Sequence, residues 1–239
     1  MNTNKNILPQ NFKGFAISAT HKSDIESSVI ISTCILNKIP YKIVCRVEEV
    51  TKDFIPVGDI KFVEKVFYNL TGIEHIKPDY YPEYLKEFLK RKVWNMDKWP
   101  LGSRVFIKPS DIYKRFTGFV TNGGYNGKKR GPYICSEIID IVNEWRYYIC
   151  DGEVILSSWY KGLDEIYIDI PVPKLDIRFP EGHCSCLDMG TLVNGDFVLI
   201  EEQHPFSCGF YGKFNPQDSL LYTRWIASGW NYVLKTCKY

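Results

Sequence analysis

Two carboxylates and an amide in the segment Leu187 to Gly212, LDMGTLVNGDFVLIEEQHPFSCGFYG, are the residues best spaced for chemistry. Asn194-Gly195 between two apolar runs is a strong signal for a two-residue hairpin turn. Pairing Val193 with Asp196 then brings Asp188 opposite Glu201, with Cβ atoms about 5 Å apart on one face. Like charges that close repel unless a cation stands between them. Side chains alternate along a strand, so Gln203 joins Asp188 and Glu201 while Glu202 and His204 face the other way. Such an oxygen-rich triplet suits Mg²⁺, which takes one or two carboxylates plus phosphate oxygens and water. The plainer reading is a solvated sheet edge with one raised carboxylate pKa, and a bulge in either strand would break the register.

A second group of charges lies in Ser136 to Gly162, SEIIDIVNEWRYYICDGEVILSSWYKG, where Asp151-Gly152 marks another tight turn. Period two places Glu144, Arg146 and Tyr148 on one side of their strand, and Trp145, Tyr147 and Ile149 on the other, facing a core. Lys108 ends the run Arg104 to Lys108, where Pro109 forces the chain out of the ladder. Lys161 stands at a strand end as well. Such lysines suit phosphate contacts, although most are simply solvated. His183, Cys184 and Cys186 form the one Cys/His cluster in the sequence; the second close pair that a zinc site needs is missing, which disfavours zinc.

The elements that must position these groups fall into two halves. Residues 1–90 read as a small α/β unit: a strand Phe15 to Ser18, a helix Ser23 to Leu36 with Ser23 as N-cap, and a strand Tyr41 to Val47. A turn at Pro56 and Gly58 follows, then a helix Ile60 to Leu70 capped by Asp59, and a second helical stretch, Glu83 to Val93, after Pro78 and Pro82. Residues 91–239 read as short strands, Arg104 to Lys108, Tyr133 to Ile138, Glu144 to Cys150, Glu153 to Trp159, Leu187 to Val193 and Asp196 to Gln203. A last helix spans Pro216 to Leu234. Gly118 to Gly131, with five glycines and Lys128, Lys129 and Arg130, reads as a surface loop, either a hairpin tip or a flap over phosphates.

Composition narrows the function classes. A chain of 239 residues, 45% hydrophobic, 15% aromatic and 24% charged, can bury roughly 70% of its unfolded surface as one or two domains. Thirty basic against 28 acidic side chains give net +2, which disfavours binding nucleic acid by charge alone. Apolar runs such as Ser28 to Leu36 are too short to span a bilayer, and Met1 to Lys5 is polar, so a cytoplasmic chain with no membrane partner is expected. Eight scattered cysteines then read as reduced, mostly buried thiols.

Together these pieces resemble the ATP-grasp superfamily, in particular its small members of bacterial and phage genomes. The resemblance runs from about Arg91 to Tyr239, with Pro56-Val57-Gly58-Asp59 resembling part of the preceding lobe. It is carried by Phe106-Ile107-Lys108-Pro109, by Ser136-Glu137-Ile138-Ile139, by Glu144-Trp145-Arg146 seven residues beyond Glu137, and by the hairpin of Asp188 and Glu201 with its His204-Pro205-Phe206-Ser207 tail. These stand in the family's order.

The resemblance implies an α/β and α+β chain of ATP-grasp fold, a lead domain (1–90) followed by two α+β lobes (91–239) that sandwich ATP. It implies that Lys108 and an upstream cation, Arg91 or Lys92, bind phosphates, that Glu137, Ile138 and Ile139 form the adenine hinge, and that Glu144 binds the ribose. Asp188 and Glu201 would hold Mg²⁺ with Gln203 where Asn is usual. Arg146 and Lys161 would serve catalysis, Arg146 by gripping an acceptor carboxylate or the γ-phosphate. The implied activity is ATP-dependent ligation of a carboxylate to an amine through an acylphosphate, on a small molecule or peptide in the cytoplasm, that of the host if the chain is phage-encoded. Two alternatives stay open: a nucleotide-binding module without ligase activity, and a nucleic-acid ligase working by a lysyl-adenylate, for which the Lys-x-Asp-Gly motif is not found in the sequence.

Overall fold

The computed structural model describes residues 7–74, 79–111, 115–124, 127, 129–162 and 172–236. It is a mixed α/β chain of three sheets. The first is parallel, in the order β2-β1-β3, from β1 (Gly14–Ser18), β2 (Tyr41–Val44) and β3 (Phe54–Val57). α1 (Ile25–Asn37) and α2 (Ile60–Thr71) follow β1 and β3. The expected cap of α2 is present, with Asp59 Oδ1 accepting from Phe62 N at 2.8 Å. α1 differs: Asp24, not Ser23, is its N-cap residue, and the Asp24 side chain bonds His21 instead of capping. Pro56 sits inside β3 rather than at a turn; β3 pairs only with β1, so the missing N–H falls on an edge strand that tolerates it.

Residues 83–93 do not form one helix. A short 3₁₀ helix covers Glu83–Phe88, Lys90 adopts a left-handed φ of 49°, and Val93 opens a strand. That strand, β4 (Val93–Met96), is rich in the branched and aromatic side chains that favour pleated pairing. It joins β5 (Val105–Pro109), β6 (Phe119–Thr121) and β7 (Tyr133–Ser136) in an antiparallel sheet of order β4-β7-β5-β6. β6 therefore occupies part of the glycine-rich stretch read as a loop, because Phe119 packs on Phe116 and Trp99 and Thr121 is buried. Tyr125, Asn126 and Lys128 of that stretch lie outside the described residues.

The third sheet carries the charges. β8 (Ile141–Cys150), β9 (Glu153–Gly162), β10 (Ser185–Leu192) and β11 (Phe197–Gln203) run antiparallel in the order β11-β10-β8-β9. One face holds Trp145, Tyr147, Ile149, Leu187, Met189 and Leu199 around Leu85 and Phe179, as the alternation requires. The other face puts Tyr148, Cys150 and Cys186 into a core shared with β1, β3, α1, α2 and the last helix, α3 (Pro216–Thr236). α3 lies hard against the tail of the β10–β11 hairpin: a Cβ on Gly229 would stand 2.1 Å from the Pro205 carbonyl oxygen, so only glycine fits. Six of the seven described cysteines are buried and all seven are free thiols; Cys237 is outside the described residues. Among the described residues no helix is long and apolar enough to cross a membrane.

Candidate active site

A cavity of about 400 Å³ opens between the two antiparallel sheets. Lys108 of β5 and the segment Ser136 to Ile139 enter it from one sheet; Glu144, Lys161, Asp188 and Glu201 enter it from the other, and Arg91 lies at its wall. Arg146 and Gln203 are buried beneath it, in contact with its carboxylates.

The β10–β11 hairpin reaches the expected pairing by a different route. Leu192 N donates to Asp196 O and Gly195 N to Leu192 O, so the turn is a three-residue loop, Val193 to Gly195. Gly195 closes it at φ 86°, a conformation that glycine adopts without strain. Met189 then faces Leu199, one residue out of the two-residue register, until a bulge at Ile200 restores it and Asp188 faces Glu201. The row continues across the sheet: Asp188 also pairs with Arg146 on β8. Adjacent strands thus place carboxylate, carboxylate and guanidinium side by side.

Each carboxylate has a cation. Arg146 Nε and Nη2 donate to Asp188 Oδ1 and Oδ2, both at 2.8 Å, and Arg146 and Asp188 are 7% and 2% exposed. Arg146 Nη1 reaches Gly209 O at 3.4 Å, and the guanidinium lies beside the rings of Tyr160 and Tyr211, 5.3 and 5.0 Å from their centroids. Burial pulls the Arg146 pKa down, but Cys186 and Asp188 outweigh it and hold it well above the ordinary value. Lys108 Nζ stands 2.5 Å from Glu201 Oε2 and 4.7 and 4.9 Å from the ring centroids of Tyr80 and Tyr81. Burial lowers the Lys108 pKa; Glu201 and Tyr81 more than compensate, and it is raised. The tight fork between Arg146 and Asp188 spends the two parallel hydrogen bonds that sequence reasoning reserved for an acceptor.

Gln203 shares the face of Asp188 and Glu201, as alternation demands. Its Nε2 donates to Asp188 Oδ2 at 3.1 Å and to Glu201 Oε1, while its Oε1 accepts from Cys208 Sγ at 3.7 Å. The donor set fits a hard divalent cation: two carboxylates on adjacent strands, with an amide that half a turn about its last torsion would present oxygen first. On the opposite face Glu202 bonds Tyr84 Oη at 2.5 Å and His183 Nε2 at 2.8 Å. The His183, Cys184 and Cys186 side chains diverge: His183 goes to Glu202, Cys184 joins Cys150 and Asp151, and Cys186 lies beside Arg146 and Cys208.

The remaining expected residues are placed as follows. Arg91 Nη1 donates to Leu89 O at 3.1 Å and Leu199 O at 2.5 Å, and Nη2 to Ile200 O at 3.3 Å, so its guanidinium holds the bulge that sets the register. Burial lowers its pKa. Glu137 Oε2 accepts from Lys92 N at 2.9 Å, tying the hinge to the start of β4, while Ile138 and Ile139 line the cavity. Glu144 is engaged by Lys161 Nζ at 2.6 Å and Tyr160 Oη at 2.7 Å. Sequence reasoning missed the aromatic frame: Tyr80 and Tyr81 over Lys108, Tyr160 and Tyr211 around Arg146. The adjacent tyrosines before Pro82 were the visible trace of the first pair.

No curated protein sequence matches the chain. Solved structures do. The ATP-grasp RimK domain protein of Sphaerobacter thermophilus is 8% identical, with a TM-score of 0.56 over 89% of this chain and 98% of that one. The D-alanyl-alanine synthetase A of Vibrio cholerae O1 biovar eltor is also 8% identical, with a TM-score of 0.50 over 95% and 100%. At that identity the likeness establishes the fold, which is ATP-grasp. A family model for an ATP-grasp domain, the second family of its clade, matches residues 88–219, more than half of the sequence and every site residue named above from Arg91 to Gln203. The chain therefore belongs to this clade of the ATP-grasp domain proteins.

Proposed function

We propose that the chain is an ATP-dependent ligase that joins a carboxylate to an amine through an acylphosphate, using Mg²⁺ and ATP. One observation carries the proposal: a single cavity between two sheets gathers a lysine from one and two face-to-face carboxylates from the other, with a hinge segment at its edge. In the reaction a carboxylate oxygen attacks the γ-phosphorus and ADP leaves; the amine nitrogen then attacks the acyl carbon, loses a proton and expels phosphate. Both steps bring anions together, so catalysis requires positioned positive charge before it requires an acid or base.

In this proposal Lys108 exchanges Glu201 for phosphate oxygens, its Tyr80 and Tyr81 walls keeping the ammonium in place. Ile138 and Ile139 flank the adenine at the hinge set by Glu137, and Glu144 takes the ribose. Asp188 and Glu201, with Gln203, hold Mg²⁺, which supplies charge neutralisation beneath the phosphates when bound. Arg146 fixes Asp188, and it and Lys161 complete the cationic set around the acceptor. Arg91 serves the phosphates through the bulge it braces. Residues 1–90 form the lead domain and 91–239 the catalytic unit, with part of Gly118 to Gly131 as a flap. The substrates are small molecules or peptides, and the chain works in the cytoplasm.

The test is ADP release with Mg-ATP, scanned over carboxylates paired with amines, followed by mass spectrometry of the product. An amide product supports the proposal. A second reading is favoured by Gln203, whose amide nitrogen faces both carboxylates: a module that binds ATP without turning it over. Binding without ADP release across the whole scan would establish it, and a covalent AMP adduct on a lysine would establish the nucleic-acid-ligase alternative instead.

A further inference from the structure

A second cavity, of about 300 Å³, lies at the carboxyl ends of β1 and β3. The parallel sheet turns back there, since β2 and β3 add to opposite sides of β1, and crevices at such points are where open parallel sheets take ligands. Its far wall is the segment Phe206 to Gly209, the tail of the site hairpin. That wall is one chain thick: Gly209 O accepts from Tyr148 Oη at 2.6 Å and from Arg146 Nη1 on its other side.

Three carboxylates reach this cavity, and among the described residues no lysine or arginine lines it. Glu26 Oε1 accepts from Phe210 N at 3.0 Å, and Asp59 Oδ1 from Phe62 N, so both are held in place with acceptor capacity left over. His21 stands between Asp24 (2.9 Å) and Asp59 (3.7 Å) and can offset one of the three charges. Asp24 and Glu26 also oppose the attraction for anions that the start of α1 would exert. Independently of these acids, Ser27 in the first turn of α1 is 2% exposed and lines the cavity, yet its hydroxyl has no hydrogen-bond partner among the described residues. A buried hydroxyl left so is a site awaiting a polar group. Ile30, Val63 and Ile226 supply an apolar floor.

We propose that this cavity holds the amine substrate, and that the substrate is an aliphatic diamine. One ammonium sits among Glu26, Asp59 and Ser27 with its carbon chain on the floor, leaving the distal nitrogen uncharged to act as nucleophile. The inference rests on the ligase reading for the role of the ligand, but the site is tested without turnover. Calorimetric titration of 1,4-diaminobutane into the full chain, without nucleotide, should show saturable binding. Glu26→Gln and Asp59→Asn, which keep their backbone contacts, should each weaken it about tenfold or more, the loss of one charge-assisted hydrogen bond. Ser27→Ala should weaken it less, and ATP affinity should stay unchanged in all three variants. Diamine affinity indifferent to both carboxylate variants, or adipate binding in place of the diamine, overturns the inference. Diamine binding that follows the predicted pattern while no carboxylate yields ADP supports the site and overturns only the ligase reading.

Discussion

Glu201 and Glu202 are chain neighbours whose carboxylates point to opposite faces of one strand and meet different chemistry. Glu201 lines the cavity and pairs with Lys108, a cation that belongs to the other antiparallel sheet. Glu202 is 5% exposed and pinned by Tyr84 and by His183, which in turn bonds Tyr232 at 3.3 Å. The first contact spans a cavity between two sheets and can be exchanged for a ligand; the second welds the 3₁₀ helix, β11 and α3 into one block. Burial, then Glu202, raises the Tyr84 pKa, so that hydroxyl stays a donor. A carboxylate poised for exchange is thus backed by one that is not.

The contrast can be broken at several points. The largest effect is expected beside Glu201, at Arg146. Removing one member of a buried, bidentate pair leaves the other charge uncompensated, and Arg146→Met should lower stability by about 3–5 kcal/mol, read by urea denaturation. Glu202→Gln weakens the back-face network and should cost about 1–3 kcal/mol, with nucleotide affinity unchanged. Gly195→Ala places a Cβ at φ 86° and should cost about 1–2 kcal/mol, measured by thermal melting.

The smallest effect is a pH dependence. Lys108 has a raised pKa, so its pairing with Glu201 stabilises the fold fully below the ordinary lysine value of 10.5 and is lost as pH climbs through the folded value. Stability should therefore fall with pH above about 10.5, and Lys108→Met should flatten that slope in a series of alkaline melts.

Much of the site was legible because chemistry and period are local properties. Asp188, Glu201 and Gln203 fall on one face by alternation alone, and Asp59 caps α2 as its type suggests. The opposition of Asp188 and Glu201 was nonetheless reached through two errors that cancel: the loop is one residue longer than Asn194-Gly195 implies, and Ile200 bulges by one to compensate. Nothing in the chain around Ile200 marks the bulge, since Arg91, more than a hundred residues earlier, braces it. The same holds for Arg146: its type announced bidentate binding, but which carboxylate it grips depends on strand order. Residues 83–93 misled because an amphipathic start conceals the left-handed Lys90 and the strand beyond it.

The neighbouring pair also gives the most direct test of the central claim, that the Asp188 and Glu201 face holds Mg²⁺ beneath a nucleotide. ATP affinity measured by calorimetry with and without Mg²⁺, in the wild-type chain, Glu201→Gln and Glu202→Gln, separates the two faces. The account predicts that Mg²⁺ tightens ATP binding in the wild-type chain and in Glu202→Gln but not in Glu201→Gln. Equal Mg²⁺ dependence in all three, or its loss in Glu202→Gln alone, would contradict it.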